Sequence, residues 1–321
     1  MIALFYCARP NYGGWVSFTA HLALKYNLPL FEIGNTTEYT KEGSPKLREY
    51  GYGVSYQNIK IEDLKQIKGK LLITAIDKTH YEFLDKFPDG TYIVIHDPTE
   101  VKSKAAEPLL KHLGRFKILT IRESVQEYLK KTYSLKSKFI LHPFFEYPFE
   151  KDAKPSKAIS ISRVDFDKHT DIILEANKEL KQPIEIHGAI NRMYVFFALK
   201  DYPFKKYYKG TFEKSFQELS TLLKDVKFVV DMSVIKHDGG GSQYTFLEAI
   251  YQECALIINK KWIEGFKTPF KDHKNCFVIE DGPQLATLID SSPKTESILK
   301  EAKKILKPHL EVDWPKEIAR F

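Results

Sequence analysis

The sequence predicts an α/β protein made of two doubly wound parallel-sheet domains facing across a cleft, and three observations carry that expectation. The chain has 321 residues, more than a single core usually holds, so two domains of roughly 150 residues each are expected. Short, nearly continuous apolar runs alternate with amphipathic segments from end to end, the pattern of parallel strands covered on both faces by crossover helices. The rhythm breaks once, at residues 150–157, where Glu-Lys-Asp-Ala-Lys-Pro-Ser-Lys is polar, carries a proline and has no periodicity. That stretch reads as a linker between a domain at 1–150 and a second at 157–311.

Taken in order, the first half offers a strand at Ile2–Cys7, a loop at Arg9–Gly14, a helix at Ser17–Lys25 and a strand at Leu28–Ile33. Strands at Leu71–Ile76, Tyr92–Ile95 and Phe116–Ile121 follow, then a helix at Ser124–Lys131 and a strand at Phe139–Leu141. Past the linker come a strand at Ala158–Ser162, a helix at His169–Leu180, a strand at Ile184–His187, a helix at Phe216–Leu223 and a strand at Phe228–Asp231. A helix at Thr245–Gln252 and strands at Ala255–Ile258 and Phe277–Ile279 complete the second half. Both halves are thus Rossmann-like. Ligands in such sheets bind beyond the carboxyl ends of the strands, which makes the cleft between the halves the expected site. Residues 312–321 read as a last helix entered through Pro315, expected to pack back onto the first domain through Trp314 and Phe321.

Composition narrows the class. Hydrophobic residues at 43% and aromatics at 13% supply two interiors. No run of about 18 apolar residues occurs, which argues against a membrane span. The N-terminus lacks the basic start and cleavage site of a signal peptide, so a cytoplasmic protein is expected, in host cytoplasm if the chain is viral. Cys7, Cys254 and Cys276 lie in or beside apolar runs and read as reduced, buried thiols with no zinc spacing. A net charge of +7 and a pI near 8.9 favour an anionic partner such as a nucleotide, nucleic acid or anionic membrane. Plain lysine richness would give the same value. The oligomeric state is not specified, and a monomer is compatible with everything read here.

Several strand ends carry polar residues suited to chemistry. Gly13 and Gly14, between the first strand and helix, would let backbone approach a ligand and leave helix-start amides for an anion; a plain tight turn would read the same way. No G-x-G-x-x-G or Walker motif is present, which counts against a dehydrogenase or P-loop enzyme. His96 and Asp97 follow a buried strand, where they could take a proton from an acceptor hydroxyl or orient it; alternatively Asp97 caps the next helix and His96 is a packed neighbour. Arg163 and Lys168, on the loop after a strand, suit a diphosphate. Asp165 and Asp167 between them match a D-x-D metal motif, but ion pairs with Arg163 and Lys168 are the expected role, so no metal is assigned. Gly188 ends a strand where a ligand or backbone could approach closely, and Gly210 follows another as a strand-end turn; a plain turn would read the same way at either. Residues 237–249, His-Asp-Gly-Gly-Gly-Ser-Gln-Tyr-Thr-Phe-Leu-Glu-Ala, run from glycines into a helix. There the amides around Gly240, Gly241, Ser242, Tyr244 and Thr245 would form a nest for phosphate oxygens, and Glu248, a turn later, would meet ribose hydroxyls.

Together these motifs resemble the GT-B glycosyltransferases of the retaining, glycogen-synthase-like branch, through Ser162-Arg163…Lys168, Gly188, Gly210 and Gly239–Ala249, with Gly13-Gly14 and His96 in the first half. The resemblance implies a UDP-sugar or similar donor, Arg163 and Lys168 on its diphosphate, Glu248 on the ribose, and no cofactor or catalytic metal. The family's second acid, eight residues before Glu248, is Gly240 here, which leaves the stereochemistry and the donor sugar, hexose or pentose, open. A narrower similarity is to bacteriophage α-glucosyltransferases that modify hydroxymethylcytosine in DNA, through Ala8-Arg9…Gly14-Trp15-Val16-Ser17-Phe18, His96-Asp97 and Tyr244-Thr245-Phe246-Leu247-Glu248. It implies double-stranded DNA as acceptor, lysines on its phosphates, and aromatics such as Tyr12, Trp15 or Phe144 stacking where a base is flipped out. Transfer to a lipid-linked or surface glycan is the rival acceptor class. A non-catalytic nucleotide- or DNA-binding protein of the same fold is the rival outside the enzymes.

Overall fold

A computed structural model describes residues 1–8, 13–33, 38–39, 45–46, 52–102 and 104–321. The chain divides into two compact units. Unit 1 comprises Met1–Glu146 with His309–Phe321, and unit 2 comprises Tyr147–Pro308.

In unit 1 the first strand, β1 (Ile2–Cys7), is buried at every position, as an unbroken apolar run must be when both sheet faces are covered. Helix α1 (Gly14–Tyr26) returns the chain to β2 (Leu30–Ile33). A two-stranded ribbon, β3 (Glu38–Tyr39) and β4 (Pro45–Lys46), precedes β5 (Gln57–Ile59), then β6 (Lys70–Ile76) and β7 (Tyr92–Ile95). Short helices α2 (Thr99–Lys102) and α3 (Glu107–Leu113) lead to β8 (Lys117–Thr120), and α4 (Glu123–Tyr133) leads to β9 (Ser137–Phe139). The seven strands of the main sheet lie in the order β5-β2-β1-β6-β7-β8-β9. Every pairing in it is parallel. One interior is built from Phe5, Ile73, Ile93, Leu109 and Leu129 among others.

Unit 2 repeats the pattern. Strand β10 (Lys157–Ser160) is followed by α5 (Thr170–Ala176), β11 (Glu185–His187), α6 (Arg192–Ala198), α7 (Phe204–Tyr207) and β12 (Tyr208–Gly210). Helix α8 (Phe216–Leu223), β13 (Val226–Asp231), α9 (Tyr244–Tyr251), β14 (Ala255–Asn259), α10 (Lys260–Ile263) and β15 (Phe277–Ile279) come next. The six strands run β12-β11-β10-β13-β14-β15, again all parallel. Its core includes Leu174, Val230, Ile257 and Leu285. Local chemistry sets the helix starts. Ser215 accepts the Glu218 amide at 2.9 Å to begin α8, and Asp281 accepts the Gln284 amide at 2.9 Å to begin α11 (Gly282–Ser291).

The longest helix, α12 (Glu296–Glu311), carries the chain out of unit 2, and its last residues from His309 belong to unit 1. There the Lys25 ammonium donates to the carbonyls of His309 and Leu310 at 3.0 and 2.6 Å, a cation on the bare carbonyls of a helix end. The final helix, α13 (Trp314–Ala319), is capped by Asp313, buries Trp314, and sends that indole N–H to the Leu141 carbonyl at 2.8 Å.

The expected fold class is what the structure has: two parallel-sheet units with helices between the strands. Strands at Tyr92–Ile95 and Phe277–Ile279 and the helix at Phe216–Leu223 lie on the residues predicted. The strand expected at Phe139–Leu141 lies at Ser137–Phe139 instead. The helix expected to reach Leu180 ends at Ala176, because the chain turns there so that the Asn177 side chain can bind both the amide and the carbonyl of Ile184. No described helix is long and apolar enough to cross a membrane.

Candidate functional site

Polar side chains collect at the carboxyl ends of the strands in each unit. In unit 2 the centre is Lys168, on the loop after β10. Its ammonium donates to the Ser233 hydroxyl at 2.7 Å and to the Gln243 amide oxygen at 3.1 Å, 4.0 Å from Asp167. An ammonium has no lone pair, so the amide oxygen of Gln243 must face it and the amide NH2 must point the other way. Ser233 is fixed in turn by Asp231, a buried carboxylate at the end of β13 that accepts from the Ser233 amide at 2.9 Å and from the hydroxyls of Ser233 and Ser162. The strand end thus aims one cation through a chain of partners that packing holds in place.

Arg163 is more exposed and bonds Asp165 at 2.9 Å and Asp167 at 3.4 Å. Asp165 also accepts from Asn191 at 2.8 Å. The D-x-D pair therefore does what the sequence led us to expect, holding Arg163, and Asp167 reaches toward Lys168. Two cations and two carboxylates balance in this loop, and Arg163 is held by both Asp165 and Asp167.

Gly188 closes β11 with φ 145°. A Cβ there would lie 2.3 Å from the Ser162 carbonyl oxygen, so only glycine lets the two strand ends approach. Gly210 accepts the Gly188 amide at 2.9 Å and keeps the next strand end alongside. Neighbouring His187 is buried, with Nε2 3.5 Å from Glu185, and burial lowers its pKa.

The glycine-rich loop behaves differently from the open phosphate nest predicted for it. The Gly240 amide already donates to the Trp262 carbonyl at 2.6 Å. Added Cβ atoms at Gly239 and Gly240 would lie 2.5 Å from the Trp262 oxygen and 2.4 Å from the Lys267 oxygen. The Trp262 indole N–H donates to the Gly241 carbonyl at 2.9 Å. These glycines are small because the 262–267 turn packs on them, and the Gly240 amide is not available to a ligand. Gly240 also has φ 73°, so an acid at this position would be strained as well as blocked. Helix α9 begins at Tyr244, with buried Ser242 just before it.

Glu248, one turn into α9, is buried and accepts the Tyr147 phenol on Oε2. Tyr147 stacks on Phe216 with centroids 4.1 Å apart and accepts from Gln252 at 3.3 Å. Asp238 is buried and closes the turn with Ile235. Ser233, Gln243 and Tyr147 were not singled out by sequence reasoning; only their placement beside Lys168 and Glu248 marks them.

In unit 1 the strand-end group follows β7. His96 is buried, and its Nε2 lies 2.7 Å from the Thr74 carbonyl. A carbonyl only accepts, so Nε2 carries the proton and Nδ1 the lone pair. Burial, with Arg122 nearby, pushes the imidazole down to about 4. A neutral ring with its lone pair on Nδ1 can accept a hydrogen bond from a hydroxyl and so orient it. Asp97 takes the capping role, accepting the Thr99 amide at 2.8 Å and the Thr99 hydroxyl, while one carboxylate oxygen stays outside that cap.

The acid beside these residues is Glu100, which the sequence did not distinguish. Its Oε1 accepts the Trp15 indole N–H at 2.9 Å and the His96 amide at 3.2 Å. Burial, then the neighbouring Asp97 charge, raises its carboxyl well above the usual range. Trp15, expected to contact an acceptor, is thus half-buried and tied to Glu100, its ring 6.4 Å from that of His96. Phe144 overturns the expectation placed on it. It is 1% exposed, packed on His21 with centroids 4.6 Å apart, and cannot stack on a base. Gly13 adopts φ 84° and caps α1 by accepting from Val16 and Ser17, with Gly14 exposed beside it. Arg9 and Tyr12 lie outside the described residues. The thiols of Cys7, Cys254 and Cys276 are free, and burial raises all three.

No family model matches the chain, and no curated protein matches it by sequence. Solved structures do match its fold. HepE of Anabaena in complex with UDP and glucose is 11% identical, with a TM-score of 0.70 over 100% of this chain and 97% of that one. An alpha-glucosyltransferase in complex with UDP and a 13-mer DNA containing an HMU base is 13% identical, with a TM-score of 0.69 over 100% of this chain and 97% of that one. TarM of S. aureus is 15% identical, with a TM-score of 0.56 over 81% of this chain and 56% of that one. The chain has the fold of the GT-B glycosyltransferases.

Proposed function

We propose that the protein is a glycosyltransferase that takes a sugar from a nucleotide donor, a UDP-sugar, and passes it to an acceptor hydroxyl. One observation carries the reading. Within unit 2, Lys168 and Arg163 stand on one loop, Lys168 is bonded to Gln243 at the start of α9, and Glu248 lies a turn further on. That spacing matches a diphosphate at one end and a ribose at the other. Arg163 and Lys168 would stabilise the departing diphosphate, where most negative charge develops. Gly188 admits the nucleotide close to the backbone, and the Glu248 carboxylate accepts from the ribose. The reaction is read as metal-independent because Asp165 and Asp167 are engaged by Arg163. In unit 1, His96 Nδ1, Asp97 and Glu100 are the groups offered to an acceptor.

The acceptor we propose first is the hydroxymethyl group of a modified base in double-stranded DNA. A net charge of +7 and a fold shared along the whole chain with an alpha-glucosyltransferase bound to HMU-containing DNA support it. A second reading, a lipid-linked or surface glycan, is favoured by the apolar and basic face of unit 2 described below. Incubating the protein with a panel of nucleotide sugars and either hydroxymethylcytosine DNA or a lipid-linked acceptor, then weighing the products, separates the two. The donor assignment is tested apart from either acceptor: UDP should raise the melting temperature of the wild type, and Arg163→Ala should weaken that effect. Equal shifts in both proteins would remove the assignment.

A further inference from the structure

Among the described residues, the exposed large hydrophobic side chains are Met1, Phe166, Ile190, Met193, Phe196 and Phe197. All but the first lie within 32 positions of one another in unit 2, at 40% to 68% exposure. Scattered apolar residues on a surface need no explanation, but this concentration does. Met193, Phe196 and Phe197 stand at i, i+3 and i+4 on α6, so they share one helix face, and that face is turned to solvent. The inner side of the same helix is held by buried Tyr194, whose phenol donates to Asp171 at 2.7 Å.

The patch is anchored. Val164 and Ile190 form a parallel bridge, Asn191 caps α6 through Met193 and Tyr194 and bonds Asp165, and Phe166 meets the Tyr194 ring edge-on at 5.1 Å. These contacts fix Phe166 and the α6 face together, so the apolar side chains are displayed by a stable scaffold. Charge accompanies them: from Ile190 to Lys209 the chain carries Arg192, Lys200, Lys205, Lys206 and Lys209 against Asp201 alone. Each of Arg192, Lys200, Lys205, Lys206 and Lys209 is exposed.

We propose that this face docks unit 2 onto an anionic membrane surface, with the phenylalanines and methionine entering the acyl boundary and the lysines meeting lipid phosphates. An exposed apolar helix face followed along the chain by exposed cations is the combination an interfacial segment requires. Phosphates of a duplex would satisfy the lysines but leave the apolar face against water, and a side-chain wedge between bases uses one or two residues rather than a surface of this breadth. The inference is independent of the donor assignment, although Arg163 and its partner Asp165 adjoin the patch.

The test is cosedimentation of the full chain with vesicles of phosphatidylcholine alone or mixed with phosphatidylglycerol. Wild type should pellet with the mixed vesicles, less so at high salt and little with phosphatidylcholine alone. Phe196→Ser with Phe197→Ser should weaken that binding by about tenfold or more for each phenylalanine removed. Lys205→Glu with Lys206→Glu, which leaves the apolar face intact, should abolish the preference for the anionic lipid. Both side-chain pairs are exposed, so the melting temperature and its rise with UDP serve as folding controls that do not depend on vesicles. The proposal is overturned if wild type binds neither vesicle, or if either double variant binds as wild type does. It is also overturned if the phenylalanine variant keeps vesicle binding but loses affinity for a labelled duplex or loses self-association.

Discussion

Acidification should destabilise unit 1 through its buried histidines, and the size of the effect follows from their surroundings. His96 and His309 are each pushed down to about 4, first by burial. His142, whose ring lies 5.8 Å from that of His309, is held well below the usual imidazole range by burial and then by His309. Hydrogen bonds to the carbonyls of Thr74 and His142 and the nearby Asp97 pull the other way without prevailing. An unfolded imidazole titrates near about 6.5, so between that pH and about 4 the unfolded chain binds protons that the folded one refuses. Stability is therefore complete above pH 6.5 and falls as pH drops toward 4. At pH 5 each ring sits about 1.5 units below its unfolded pKa, a loss of about 2 kcal/mol per ring, or about 4 kcal/mol for His96 and His309 together. Against a typical total of about 5–15 kcal/mol this is large. Urea unfolding at pH 7.5, 6 and 5, followed by tryptophan fluorescence, should show a transition that moves to lower denaturant as pH falls. Trp15 and Trp314 report unit 1, and Trp262 reports unit 2. In His309→Asn the pH dependence should shrink, since one of the three rings is lost and His142 is relieved of its neighbour, whatever the variant costs at neutral pH. A unit 1 transition that stays put between pH 7.5 and 5 would refute the reasoning.

Other perturbations test the two strand-end groups. Lys168→Ala should weaken UDP binding by roughly tenfold to a hundredfold, read by calorimetry, since a charge-assisted contact is worth about 1.5–3 kcal/mol. Glu100→Ala should release Trp15, shift its fluorescence and cost about 1–3 kcal/mol by stranding the indole and the His96 amide. Glu100→Gln should recover most of that loss. Because its folded carboxyl is raised, Glu100 favours the folded state at low pH and loses that contribution as pH rises through the folded pKa, so the Gln variant should be the less pH-sensitive protein on the alkaline side. Gly240→Glu, which puts an acid eight residues before Glu248, should lower the melting temperature and give no gain in transfer, because φ 73° and the Lys267 carbonyl oppose any side chain there.

The sheets were legible because strands covered on both faces read as unbroken apolar blocks, and Ile2–Cys7 or Tyr92–Ile95 can hardly be anything else. Helix α6 was not, since Arg192–Ala198 is apolar on its outward side and so shows no helical period. Helix α12 was hidden by its many charges and by Pro308, whose effect inside a helix cannot be separated from a break in sequence alone. At the site, cations after a strand announce themselves, and Arg163 and Lys168 did. Glu100 lies in a charged stretch where nothing sets it apart, and its role exists only because Trp15 folds onto it. Phe144 and Gly240 mislead for one reason: composition shows what a residue is but not whether its surroundings close over it.

The division of unit 1 between residues 1–146 and 309–321 has a consequence for how the protein is made. Its C-terminal part supplies buried Trp314, the carbonyls that receive Lys25, Lys70 and Tyr26, and the Glu317 partner of Lys138. On the ribosome, the unit translated first is therefore the one that cannot close until residues 309–321 have followed unit 2. Unit 2, continuous from Tyr147 to Pro308, is complete before the segment that seals unit 1 has been synthesised. A fragment ending at residue 146 should leave Phe18, against which Trp314 packs, uncovered and aggregate, whereas joining 309–321 to it through a short linker should restore a soluble unit.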